Sequence, residues 1–149
     1  MFVQSSLEHV LPILNKLDDQ TQPIWGKLTP QEMVEHLTDM LKIASGETKQ
    51  NLLIPFEKIE SMQRFLETEK EMVQNIEVPF APKERVLRNE SISDAIDELV
   101  EQWIAFEEHY ENEDTKELHP YYGELNFDQW NKLNSKHLTH HFKQFSLIK

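Results

Sequence analysis

The sequence predicts an all-α fold, a helical bundle with a long crossover between its second and third main helices, and three observations lead there. Apolar residues recur at helical spacing in four long segments. Capping residues stand at or near the starts of those segments. Only three glycines occur among 149 residues, too few for a turn-rich all-β architecture or a glycine-rich phosphate loop. The length is close to that of one ordinary domain, so residues 1–149 are expected to share a single core.

Each element has its own signal. Leu7, Val10, Leu11, Leu14 and Leu17 form the first apolar stripe, entered through Ser5 and Ser6 and interrupted by Pro12, which predicts a kink or a late start. Asp18 to Leu28 contains Gln22, Pro23 and Gly26 and reads as a loop, with Ile24 and Trp25 expected to fold back onto the core. Thr29, Pro30 and Glu32 then combine a cap, a proline at the first helical position and a carboxylate in the first turn. Met33, His36, Leu37, Met40, Leu41 and Ala44 share one face of the helix they open, and Gly46 stops it.

From Glu47 to Glu90 the periodicity weakens. A short helix is expected over Phe56 to Leu66, and Pro79 and Pro82 punctuate an irregular crossover too long for a hairpin between antiparallel helices. Ser91 with Asp94 opens the third main helix, whose apolar face runs from Ile92 through Leu99 and Trp103 to Tyr110. An acidic run and the aromatic, turn-rich segment His119–Pro120–Tyr121–Tyr122–Gly123 follow, and Asn126 caps the final helix. Trp130, Leu133, Asn134, His137, His141, Gln144 and Phe145 lie along its stripe.

With 15 basic and 27 acidic residues the formal net charge is −12, so an extended phosphate-binding surface would work against the field of the whole molecule. Nucleic acid and anionic membrane are therefore not expected partners. No cysteine is present, which excludes disulfides, thiolate metal sites and a cysteine nucleophile from this chain. Neither a leader pattern at Met1 to Leu7 nor an apolar run of bilayer length is seen, and a cytoplasmic location is the expectation.

The chemistry sits in the histidines. His137 and His141 are four residues apart, so their rings leave one helix face in adjacent turns and can reach one ion. Among seven histidines such a pair arises readily by chance. His36 lies on the inward stripe of another helix. Three inward imidazoles suit a divalent metal, while single inward histidines are more often core residues satisfied by a carbonyl or carboxylate, and both readings stay open on spacing alone.

Trp25–Gly26–Lys27–Leu28–Thr29–Pro30 leading to Glu35–His36–Leu37 is one motif, and His119–Pro120–Tyr121–Tyr122–Gly123–Glu124–Leu125 through Trp130 to His137–Leu138–Thr139–His140–His141–Phe142–Lys143–Gln144–Phe145 is another. Together they resemble the two ends of DinB-like (damage-inducible, YfiT-like) proteins, and more narrowly a branch labelled as having no known function. The resemblance spans most of the chain and is weakest between Glu47 and Glu90. It implies a four-helix bundle holding a divalent metal on His36, His137 and His141, and many such proteins are homodimers. His140 points about a quarter-turn away and is assigned to support or surface duty. His119 is placed at the site mouth or, preferentially, in closing the end of the bundle, and His9 and His109 have no supporting neighbours in sequence.

Three imidazoles leave a coordination position for water, thiol or substrate. The ligand set suits zinc, nickel, iron or copper. The resemblance implies metal-dependent transfer chemistry with an exogenous low-molecular-weight thiol, or hydrolysis, on a small-molecule substrate. No general base is singled out among Glu32, Glu35 and Asp39, which a solvated helix face explains equally well. A different class of function is a non-catalytic, metal-stabilised module in which Trp25, Trp103, Tyr121, Tyr122 and Trp130 line a pocket for an apolar ligand or a partner helix. Their helical spacing favours core packing instead.

Overall fold

The computed structural model describes residues 1–74 and 85–149. In chain order they form α1 (Leu7–Leu14), α2 (Pro30–Ala44), a 3-10 turn (Phe56–Lys58) running into α3 (Ile59–Leu66), α4 (Ile92–His109), the strands β1 (Glu117–His119) and β2 (Gly123–Leu125), and α5 (Phe127–Gln144). The chain is mostly helical, as the stripes predict. Pro79 and Pro82 lie outside the described residues, and no described helix is long and apolar enough to cross a membrane.

The two helices that carry the histidines are the best capped. Thr29 accepts the Glu32 N–H while the Glu32 carboxylate accepts the Thr29 N–H, with Pro30 at the first position of α2. Asn126 and Gln129 repeat this reciprocal arrangement at α5. Ser91 caps α4 by accepting the Asp94 N–H. By contrast Ser6 stands at the start of α1 without a capping bond from its side chain, which contacts His9 Nδ1 at 2.7 Å instead.

Helix α2 packs along α4, α3 lies on α5, and α1 rests against α4. Val10, Leu14, Met33, Leu99, Trp103, Phe106, Trp130 and Phe142 are the centre of the core. Burying each large side chain of this kind contributes about 1.5–3 kcal/mol. Trp103, Tyr122 and Trp130 belong to that core rather than to a ligand pocket.

Two features depart from the sequence expectations, and a third was not anticipated there. Ile24 is 67% exposed; the loop is fastened through its backbone, with the Ile24 N–H donating to the Gln144 carbonyl at 2.7 Å, so the side chain is not needed as an anchor. The aromatic segment after α4 is a small antiparallel hairpin with His119 opposite Gly123. Strands of three residues are too short to show alternation. Gly123 has φ +74°, and a Cβ there would come within 2.9 Å of Ile59, so glycine lets the hairpin sit against α3. Third, Lys136 of α5 is 1% exposed. Its ammonium donates to the Thr68 and Lys70 carbonyls and lies 4.4 Å from the ring centroids of both Phe2 and Phe65.

Candidate metal centre

His36 projects from α2 toward His137 and His141 on α5. The Nε2 atom of His137 stands 2.9 Å from Nε2 of His36 and 2.9 Å from Nε2 of His141. All three ligand atoms lie within 4.8 Å of one another. The rings meet edge to face, with centroids 4.5–5.1 Å apart. His141 is buried, whereas His36 and His137 keep partial exposure, so the cluster sits at the rim of the core.

Neighbouring groups set the tautomers. Gln144 donates its Nε2 amide to the Trp25 carbonyl at 3.1 Å, which turns its Oε1 toward His141 Nδ1 at 2.7 Å. His141 therefore carries its proton on Nδ1 and presents an Nε2 lone pair to the cluster. On the other side Arg85 Nη2 lies 2.8 Å from His36 Nδ1. A guanidinium has only donors, so Nδ1 accepts and the His36 proton sits on Nε2.

The proton count at the centre then does not close. His137 Nε2 either accepts from His36 or donates to His141, and a single nitrogen cannot do both. One of the two 2.9 Å contacts is left with two facing lone pairs or two facing protons. A divalent cation would resolve the conflict at His137, because three lone pairs can converge on it, though it would also break the His36–Arg85 contact. Bonds of about 2.0–2.1 Å in tetrahedral array space the nitrogens about 3.3 Å apart, within a few tenths of an ångström of the two short edges. The donor set fits such an ion.

Burial holds the imidazoles neutral, as ligation requires. It pushes His36 well below the usual value, with His141 and Arg85 adding to the effect. His137 is lowered likewise, first by burial and then by His141 and His36. His141 falls to about 4, burial outweighing the opposing hydrogen bond that it donates to Gln144.

The remaining histidines are accounted for elsewhere. His140 packs its ring 5.0 Å from His141 and 5.4 Å from Trp25, beside the site and outside the cluster. His119 is 3% exposed, accepts the Tyr121 N–H at 3.0 Å and packs on Tyr122 and Trp130; it is outside the three-histidine cluster yet close enough to His137 to add to the lowering of that histidine's pKa. His109 contacts the Glu117 carboxylate at 2.7 Å, so it does have a supporting neighbour, as His9 has Ser6.

The carboxylates flanking His36 are committed. Glu32 belongs to the α2 cap. Glu35 is buried, not solvated, and accepts from Gln31 Nε2, the Arg88 and Asn89 N–H groups and the Asn89 side chain at 2.9–3.3 Å. Burial raises its pKa and these bonds lower it by more. Asp39 pairs with Arg88 at 3.0 Å and Arg85 at 3.5 Å. Sequence reasoning missed Arg85 and the orienting role of Gln144. The first has no periodic signal around it; the second lies on the α5 stripe, where its place beside His141 was the available clue.

The family model described as "Protein of unknown function (DUF1569)" matches residues 56–147, well over half of the chain. The chain belongs to that family. The DUF1569 match takes in His137, His141, Gln144 and Arg85 and begins after His36. Neither a curated protein nor a solved structure matches the chain.

Proposed function

We propose that this DUF1569 chain is a DinB-like four-helix-bundle enzyme, with α1, α2, α4 and α5 as its main helices. It holds a divalent transition metal on His36, His137 and His141 and acts as a thiol-dependent transferase or a hydrolase on a small molecule. The observation that supports this most is the convergence of three Nε2 atoms whose protons cannot all be placed without a cation. Such an ion polarises a carbonyl and lowers the pKa of a water or thiol it holds. Gln144 aims His141, and His36 and His137 keep the partial exposure through which a substrate would reach the ion. No carboxylate is assigned as base, since Glu32, Glu35 and Asp39 are engaged in structure.

A non-catalytic, metal-stabilised binding module is the competing reading. It draws on surface grooves among the described residues, such as one between the α1 end and the α4 start and one beside Lys136, which the three histidines do not line. Protein purified without a metal-affinity tag should carry about one equivalent of transition metal, and His137→Ala far less, by elemental analysis. Equal trace metal in both overturns the centre. Metal-loaded protein is then assayed for thiol conjugation and for ester and amide hydrolysis; turnover lost in His137→Ala supports the enzyme, and bound metal without turnover supports the module.

A further inference from the structure

The arginine beside His36 is placed where it opposes one state of the site and serves another. Its side chain is 13% exposed, and its contacts among the described residues are His36 Nδ1 at 2.8 Å and Asp39 Oδ2 at 3.5 Å. When His36 uses Nε2 as a ligand, its proton moves to Nδ1 and would face an N–H of Arg85. The two cannot remain at 2.8 Å, so loading the centre requires the guanidinium to withdraw.

Asp39 is a poor sole refuge for it. That carboxylate already holds Arg88 at 3.0 Å, while Arg88 also reaches Glu98 at 2.9 Å and Glu35 at 3.9 Å. A freed Arg85 is thus a largely buried cation with a shared counter-charge, next to the open side of a metal centre. Its planar fork of donors matches a carboxylate in two-point contact.

We propose that Arg85 is the substrate-recognition residue of this centre: metal loading detaches it from His36, and it then binds the carboxylate of the small molecule that approaches the ion. The inference rests on the metal reading given above and adds the substrate class, a carboxylate-bearing molecule. It also makes the guanidinium an antagonist of metal loading, since Arg85 stabilises the His36 tautomer that does not ligate.

The test uses the full chain loaded with cobalt(II), whose visible absorption reports its coordination. Acetate is the probe and acetamide the neutral isostere, titrated into wild type, Arg85→Gln and Arg85→Lys, with circular dichroism confirming the fold. Wild type and both variants should take up the same number of cobalt equivalents, with Arg85→Gln binding the ion more tightly than wild type. Acetate should shift the cobalt band of wild type, bind about tenfold more weakly to Arg85→Gln and fall between for Arg85→Lys, while acetamide is unaffected. Equal acetate affinity in wild type and Arg85→Gln overturns the role of Arg85 and leaves the metal centre standing. Cobalt binding unchanged or weakened in Arg85→Gln overturns the antagonism. Wild type that binds no cobalt overturns the centre itself, and this proposal with it.

Discussion

Lys136 and His137 are adjacent on α5 and both lie at the boundary of the core, yet their surroundings are opposite. The lysine brings donors, and two backbone carbonyls and two aromatic faces receive them. The histidine meets two nitrogens and can satisfy only one. Where every donor finds an acceptor, a buried polar group is structural, tying distant segments together. Where hydrogen-bond arithmetic fails at short range among imidazoles, the arrangement is one that a cation could complete. Burial and polarity alone do not separate the two cases; the count of protons does.

The comparison can be broken first at Lys136. Lys136→Met leaves the Thr68 and Lys70 carbonyls without their donor and should cost about 2–3 kcal/mol in urea unfolding, with metal content unchanged. An unaltered unfolding midpoint would remove Lys136 from the satisfied class. His119 offers a second probe on the same side. Burial lowers its pKa from 6.5 to about 3, so the fold keeps it neutral while the unfolded chain takes up a proton as pH falls below about 6.5. Its contribution is complete above that pH and is lost progressively down to about pH 3. For metal-free protein, the drop in stability between pH 7 and pH 5 should be about 2 kcal/mol smaller in His119→Asn than in wild type. Parallel pH profiles would show that His119 does not stay neutral in the fold. The smallest effect sharpens the other side: Gln144→Leu releases the His141 tautomer and should weaken metal binding about tenfold in a chelator competition. Unchanged affinity would mean that the ring is oriented by packing alone.

Local signals were readable without coordinates. The caps at Thr29, Ser91 and Asn126 depend on residues three apart, and the α3 segment from Phe56 to Leu66 has its helical character within eleven positions. The four-residue step between His137 and His141 is equally local, and the α2 stripe was enough to bring His36 inward. What escaped the sequence reading depends on distant partners. Arg85 meets His36 across 49 positions, and Gln144 is fixed by the Trp25 carbonyl across 119. Glu35 looked like part of a solvated face because the Arg88–Asn89 backbone that covers it arrives from beyond the crossover. Ile24 was misread for the complementary reason: the loop's attachment is made by backbone groups, which leave no trace in residue type.

Glu35 has a further consequence for how the chain can be edited. By gripping the Arg88 and Asn89 backbone it fixes the chain three residues after Arg85. On the other side Lys136 holds the Lys70 carbonyl and Lys143 holds Glu71 at 2.7 Å. Residues 75–84 are thus bracketed by two independent anchorages. Doubling the length of a connection held in this way costs about 0.6 kcal/mol of closure entropy, so insertions there should leave the anchors and Arg85 in place. New sequence inserted there would thus test whether the anchorages at Lys70–Glu71 and Arg88–Asn89 hold independently of the connection's length.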